Sequence, residues 1–471
     1  MKILVLNPPA FRKQDYIREG RCMQTKSSWA ALWMPLSLCY ISAVLREKGH
    51  RVKLIDAIAE KLNNTKLIKI LSSFSPGLII LNTAIPSIEG DMDCASALKK
   101  AFPSARIAIV GMYPTIYEGE SLKPYNQIDY AVMDEPEWVS SMLPDVVTGK
   151  TSVDSVNGLI YRSGTEIIVN KRQKLSENNP DDLPFPARDL LNNSAYRLPT
   201  NGKTFTLLSV GRGCSSNCIY CVANIYYGKK FRKRSVESII REIEHCLNEF
   251  KISNFLFWGE SFTTDQEYGE EICDGIIKKG LKITWSTTSR VDTLNKVLLD
   301  KMKKSGRILL GLGIESYDQE VLDRARKGIT TAQIDLAIKM TQEAGINTMG
   351  HFMFGLPGDT KDSALKSIRF ACKNLTYAQF YSAIPYPKTE LGKIANENNW
   401  IVETDFSRFE LTKSVMGNES LSATEIKKLR NYAYRRFYLR PKMLLQTIRE
   451  VSSLSSFLSI LKFVNWIKPK N

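Results

Sequence analysis

Short apolar runs alternate with amphipathic stretches along most of this chain. From the N-terminus, KILVLNPP reads as a strand, MPLSLCYISAVLREKG as a helix, HRVKLIDA and PGLIILNTA as strands, GDMDCASALKKAF as a helix, and ARIAIVGMYPT and IDYAVMDEP as strands. Nearly continuous apolar strands separated by helices predict a parallel sheet covered on both faces, an α/β doubly wound domain over residues 1–150. Ligands on such sheets lie beyond the carboxyl ends of the strands, which here are the loops NPP, NTAIPS and GMYPT.

The alternation resumes after about residue 200. FTLLSV (205–210), FLFWGE (255–260), ITWSTTSR (283–290), ILLGLGIES (308–316), NTMGHFMFGLP (347–357) and AQFYSAIPYP (378–387) are strand-like, and helical sequence lies between them. SVESIIREIEHCLNEF (235–250) is a helix with Ser235 placed to cap it. A second parallel βα domain is expected over 200–395, joined to the first by a linker over 151–199 and followed by a helical, basic region over 396–471. With 471 residues and 43% hydrophobic content, the chain has material for two or three cores. No apolar run reaches the length of a membrane span, and MKILVLNPPAF lacks the long apolar segment and cleavage site of a secretory signal. The expected location is cytoplasmic.

Charge adds one feature. Of the net +16, Lys427 to Asn471 supply +10, eleven Lys or Arg against Glu450. Within that tail SSFLSILKFVNWIK combines an apolar face with flanking lysines, a pattern for a helix lying in a bilayer interface more than for a nucleic-acid arm. Packing against the barrel is the structural alternative. Nucleic acid is not an expected partner.

Cysteine usage points to chemistry. Cys214, Cys218 and Cys221 fall within eight residues, in GRGCSSNCIYC. Nine cysteines scattered over a chain with no export signal argue against a disulfide framework. Zinc would ask for a fourth Cys or His, and His50, His245 and His351 all lie far from the motif. Three thiolates instead suit a four-iron, four-sulfur cluster with one iron left open.

With Tyr220 before its last cysteine, this motif resembles the signature of radical S-adenosylmethionine (SAM) enzymes. The resemblance implies a partial (β/α)6 barrel with chemistry at the C-terminal strand ends. It also implies a cluster whose open iron chelates SAM, a 5′-deoxyadenosyl radical made by reductive cleavage, and a reductase, flavodoxin or ferredoxin as electron donor. Carried onto this chain, it makes Cys214, Cys218 and Cys221 the cluster ligands and Tyr220, Glu260, Arg290 and Glu315 the SAM-binding residues. Glu260 would meet the methionine ammonium, Arg290 the carboxylate and Glu315 the ribose, with Gly311 and Gly313 permitting close backbone approach.

The N-terminal stretch lacks a G-x-G-x-x-G fingerprint and resembles the cobalamin-binding domain of one radical SAM subclass. That places Asn82, Thr83, Ser87, Gly111 and Thr115 near the corrin. IPSIEGD stands where a D-x-H-x-x-G motif would supply an axial histidine, so the resemblance implies cobalt without one. A second cluster on Cys22, Cys39 and Cys94, as in tRNA methylthiotransferases, ranks lower. The expected function is methylation of an unactivated carbon in a small, hydrophobic or lipid-like molecule, with methylcobalamin as methyl source. A ring-forming enzyme of the same subclass is the runner-up, and an inactive binding protein ranks below both.

Overall fold

The structure, a computed structural model, describes residues 1–20, 22–25, 31–198, 201–260, 262–441 and 443. Its first sheet uses β1 (Lys2–Asn7), β4 (Arg51–Asp56), β5 (Leu78–Thr83), β6 (Arg106–Gly111), β7 (Tyr130–Val132), β8 (Leu159–Ser163) and β9 (Glu166–Val169); a separate antiparallel hairpin, β2 (Tyr16–Glu19) and β3 (Cys22–Thr25), follows β1. The strand order is β4-β1-β5-β6-β7-β8-β9, parallel through β7 and antiparallel beyond it. Direction of winding therefore reverses beside β1, and the crevice between the carboxyl ends of β1 and β5 is the topological switch point. The expected linker is in part sheet, because β8 and β9 extend the first domain to residue 169.

Each face of this sheet carries its own core. Cys39 and the apolar side of helix Leu36–Glu47 pack on one face; Cys94 and helix Ile88–Ala101 pack on the other. Side chains buried on both faces explain why the strands read as continuous apolar runs rather than alternating ones.

The second sheet contains β10 (Thr206–Ser209), β13 (Asn254–Trp258), β14 (Thr284–Arg290), β15 (Arg307–Glu315), β16 (Asn347–Phe354) and β17 (Tyr377–Ser382), paired in sequence order and all parallel. This is the expected six-stranded partial barrel. Along β14 the pattern is strictly alternate: Trp285, Thr287 and Ser289 are buried toward the helices, while Ser286, Thr288 and Arg290 are half-buried on the inner side. Helix Val236–Glu249 starts where expected, with the Ser235 hydroxyl accepting from Ser238 N.

Two further elements complete the barrel. Arg188, from the interdomain stretch, is fully buried and meets Glu242 at 2.6 Å, and Arg234 pairs with the same carboxylate. Helix Ala423–Tyr438 opens with a capping box at Ser422 and buries Ile426, Leu429, Ala433 and Phe437 in the barrel core. The interfacial-helix segment falls after this, outside the described residues. Among the described residues no helix is long and apolar enough to cross a membrane.

Candidate active site at the mouth of the barrel

The cysteine motif lies on a loop whose neck is closed by β11 (Gly211–Arg212) pairing antiparallel with β12 (Arg232–Lys233). Gly213, directly before Cys214, has φ +99°, and a Cβ there would stand 2.1 Å from the Lys230 carbonyl oxygen. Only glycine lets the two arms of the neck come this close. The loop is held by its backbone: Cys214 N donates to Gly228 O at 3.1 Å, Ile219 N to Ala325 O at 3.2 Å, and Leu391 N to Ile219 O at 2.9 Å. Ile219 is thus tied to the segments that follow both β15 and β17, so the barrel ends fix where the thiols sit.

All three motif cysteines are half-buried. Cys39, Cys94, Cys246 and Cys273 are buried, and burial pushes every one of these thiols up, Cys246 to about 11 and Cys273 to about 12. A ligand must be a thiolate, which the buried four resist. Among the described residues no three Cys, His, Asp or Glu side chains converge on one point that a single ion could occupy. Three half-buried cysteines on one short loop are a donor set that fits a cubane, in which each cysteine binds a different iron.

Cationic and acidic groups of the strand ends converge on this loop. Arg290, the last residue of β14, donates to Ser216 Oγ of the cysteine loop at 3.1 Å, to the carboxylate of Asp292 through two nitrogens at 2.9 Å each, and to Lys327 O at 2.9 Å. Those four bonds occupy four of the five donors of a guanidinium. Glu315, the last residue of β15, has φ +64° at a register shift in the pairing with β16. A left-handed glutamate is strained, and strain of this kind concentrates at functional sites. Its carboxylate accepts from Lys327 Nζ at 2.9 Å, and both side chains are about nine-tenths buried.

Lys327 is the site residue that sequence reasoning missed. Burial opposes its charge, yet the Glu315 carboxylate and the Cys218 thiol outweigh that and raise its pKa. Tyr220 is half-buried, with its phenol pushed up by burial, by Glu315 and by Cys218 and Cys221; its hydroxyl bonds Cys218. Glu260 is buried two residues beyond the end of β13, close to Tyr227. Arg290 pairs with Gly313 at the ends of β14 and β15, while Glu260 lies beyond the last paired residue of β13. A Cβ at Gly313 would lie 2.8 Å from Lys327 Nζ, and one at Gly311 would lie 2.8 Å from His351 Nε2, so both make room for side chains. Carboxylate, guanidinium, ammonium and phenol thus surround the cysteine loop, a donor set that fits the ammonium, carboxylate and ribose of SAM.

In this structure the five residues expected near the corrin are engaged within the first domain. Thr83 Oγ1 donates to Val110 O at 2.8 Å, and Thr115 Oγ1 donates to Gly111 O at 3.0 Å while accepting from Asp134 N at 2.8 Å. Asn82 donates to Arg18 O at 3.2 Å, and Ser87 Oγ donates to Asp91 at 2.6 Å while accepting from Arg18 Nε at 3.0 Å. Gly111 packs against the Thr83 carbonyl. All five are enclosed, and their polar atoms are used inside the domain. The cause is hairpin β2–β3, whose fully buried Arg18 pairs with Asp91 at 2.8 Å and donates to Asn7 at 3.1 Å, filling the switch-point crevice. The low-ranked second cluster finds no support, since Cys39 and Cys94 lie on opposite faces of the sheet and the side chain of Cys22 is outside the described residues.

The two domains meet beside the cysteine loop. Arg212 makes two hydrogen bonds to Glu137, at 3.0 and 2.7 Å, and Arg232 pairs with Glu135; all four are buried. Tyr226 and Tyr227, just after the motif, share a core with Ile85, Met112 and Tyr113 of the first domain.

Comparison with known proteins agrees with this layout. The radical SAM superfamily model matches residues 208–371, and the B12 binding domain model matches residues 27–140. An uncharacterized methyltransferase of Pyrococcus horikoshii is 30% identical over 417 residues, covering 88% of this chain and 90% of that protein. The anaerobic magnesium-protoporphyrin IX monomethyl ester cyclase of Cereibacter sphaeroides is 25% identical over 420 residues, covering 87% and 68%. The fold matches that of the cobalamin-dependent S-adenosylmethionine radical enzyme OxsB with a TM-score of 0.75 at 16% identity, over 99% of this chain and 70% of that one. Two matched domains in this order and a relative aligned along nearly its whole length establish that the chain belongs to the cobalamin-binding radical SAM enzymes, whose cofactors are a four-iron, four-sulfur cluster, SAM and cobalamin.

Proposed function

We propose that this enzyme methylates an unactivated carbon of a small amphipathic molecule. The observation that carries the reading is the convergence of the Cys214–Cys218–Cys221 loop with Arg290, Glu315 and Lys327 at the open ends of the barrel strands, in a chain 30% identical to an uncharacterized methyltransferase. In this reading the three thiolates hold the cluster, which when reduced supplies the electron that cleaves SAM. Glu260 binds the methionine ammonium. Lys327, with the remaining N–H of Arg290, binds the carboxylate, and Glu315 accepts from the ribose hydroxyls. Tyr220 covers the cluster on the substrate side.

A purely lipidic substrate is less well supported than an amphipathic one. His351, Gln379 and Tyr381 are half-buried at adjacent positions of β16 and β17, with Tyr381 OH donating to Gln379 Oε1 and the His351 ring stacked on Tyr381 at 6.0 Å. Such polar groups suit a substrate that carries a hydrogen-bonding end on its apolar body.

Product counting tests the reaction type. Methylation consumes two molecules of SAM per turnover, one cleaved to methionine and 5′-deoxyadenosine and one giving up its methyl as S-adenosylhomocysteine. Incubating the enzyme with cell extract from a deletion strain should yield both in about equal amounts, with labelled methyl in a new product. The cyclase relative keeps ring closure as a second reading, and 5′-deoxyadenosine without S-adenosylhomocysteine would establish it.

A further inference from the structure

We propose that Lys229 and Lys230, at the neck of the cysteine loop, are the docking site for a small acidic one-electron carrier of the flavodoxin type. The inference rests on the radical SAM reading, because only a cluster that must be reduced needs such a partner. Its basis is the distribution of paired and unpaired charge around the loop. Most basic side chains bordering it are neutralised: Arg212 by Glu137, Arg232 by Glu135, Lys233 by Asp265, Arg290 by Asp292, Lys327 by Glu315 and Arg326 by Glu390. Lys229 and Lys230 are exposed, and no carboxylate among the described residues lies within salt-bridge reach of either.

Their backbone is part of the cluster loop's support. The Lys230 carbonyl abuts Gly213, the Cys214 N–H donates to the Gly228 carbonyl, and Ser215 and Asn217 of the same loop are exposed. A carrier held by the two ammonium groups therefore lies against the loop that carries the cluster ligands. Unpaired charge of one sign beside a redox centre steers an oppositely charged partner and raises its encounter rate. The step exchanges only an electron: the carrier's reduced flavin loses one and the cluster gains it, with no bond or proton transferred.

The test measures cluster reduction directly, by stopped-flow bleaching of iron–sulfur absorbance in the full-length reconstituted enzyme. Lys229→Glu/Lys230→Glu is compared with wild type and with Lys282→Glu, an exposed lysine just before β14 at the opposite end of the barrel. With flavodoxin hydroquinone at low salt, the double variant should be reduced about tenfold more slowly. The gap should close in molar salt, where the Debye length falls to about 3 Å. Photoreduced deazaflavin, small and without a docking surface, should reduce all three proteins alike. An unchanged flavodoxin rate in the double variant, or equal slowing in Lys282→Glu, would overturn the docking site and leave the radical SAM reading standing. Slowing with deazaflavin as well would show damage to the loop and also overturn it. Failure of deazaflavin to reduce any cluster in wild type would remove both.

Discussion

Lys327→Met separates what the Lys327–Glu315 pair does for the fold from what it does for SAM. The ammonium and carboxylate are 2.9 Å apart with side chains 8% and 10% exposed. Removing one partner of a pair so enclosed leaves an uncompensated charge, a loss of about 3–5 kcal/mol. Glu315 has little room to relieve it, because its left-handed backbone and the close contact at Gly313 fix where the carboxylate points. Replacing both, as Glu315→Gln/Lys327→Met, removes the charges together and should bring stability back to within about 1 kcal/mol of wild type. Urea unfolding of the two variants reads this difference. SAM affinity, measured by isothermal titration of the cluster-loaded protein, should fall in both, because each loses the Lys327 ammonium and leaves the carboxylate to Arg290 alone. A Lys327→Met protein that unfolds at the wild-type urea concentration would refute the energetic argument. A double variant that binds SAM with the wild-type Kd would refute the functional one.

Two other outcomes follow from buried groups. Glu19, enclosed and accepting from Ser37, is pushed up from 4.5 to about 7, chiefly by burial. The native state therefore holds this proton more tightly than the unfolded chain, so the associated stability is full below pH 4.5 and is lost as pH rises through about 7, roughly 3 kcal/mol in all. Glu19→Gln should match wild type in acid and exceed it at pH 8 in urea unfolding; a parallel pH profile in the two proteins would count against the shift. For the cysteines, Ala at 214, 218 or 221 should remove iron–sulfur absorbance with little change in unfolding, whereas Cys246→Ala and Cys273→Ala should keep the absorbance and lose about 1 kcal/mol. Iron lost equally from both groups would mean that the half-buried triad is not the ligand set.

How much of this was legible in the sequence depended on the range of the interactions involved. Barrel strands and the first-domain strands could be read because burial on both faces makes each a continuous apolar run. The cysteine loop could be read because all its chemistry lies in eleven consecutive residues. Hairpin β2–β3 could not, since Tyr16, Ile17, Arg18 and Glu19 are all buried and give no alternation. Two of the four are charged, and their burial is possible only because Asp91 and Ser37 come from distant parts of the chain. Lys327 was invisible for a related reason: twelve residues separate it from Glu315, and only the fold of the intervening segment returns it to the carboxylate. Strands β8 and β9, by contrast, carry a usable signal in YRSGTEIIV, a Ser-Gly turn between alternating residues, inside the stretch expected as linker.

The enclosure of the strand-end loops in the first domain has one physical source, and it bears on how the two domains are joined. A loop residue at a strand end is a ligand candidate only while nothing of the chain covers it. Here hairpin β2–β3 and the core shared with Tyr226 and Tyr227 cover those loops. The same contacts bind the cysteine loop to the first domain, through Arg212 with Glu137 and Arg232 with Glu135. A fragment ending near residue 150 would lose both arginine partners and would expose the face of its core that Tyr226 and Tyr227 cover. The first domain and the cluster loop are therefore one structural unit. What sets the placement of the cobalamin-binding domain against the SAM site is this buried set of charges and aromatic rings beside Cys214, rather than the length of the chain between them.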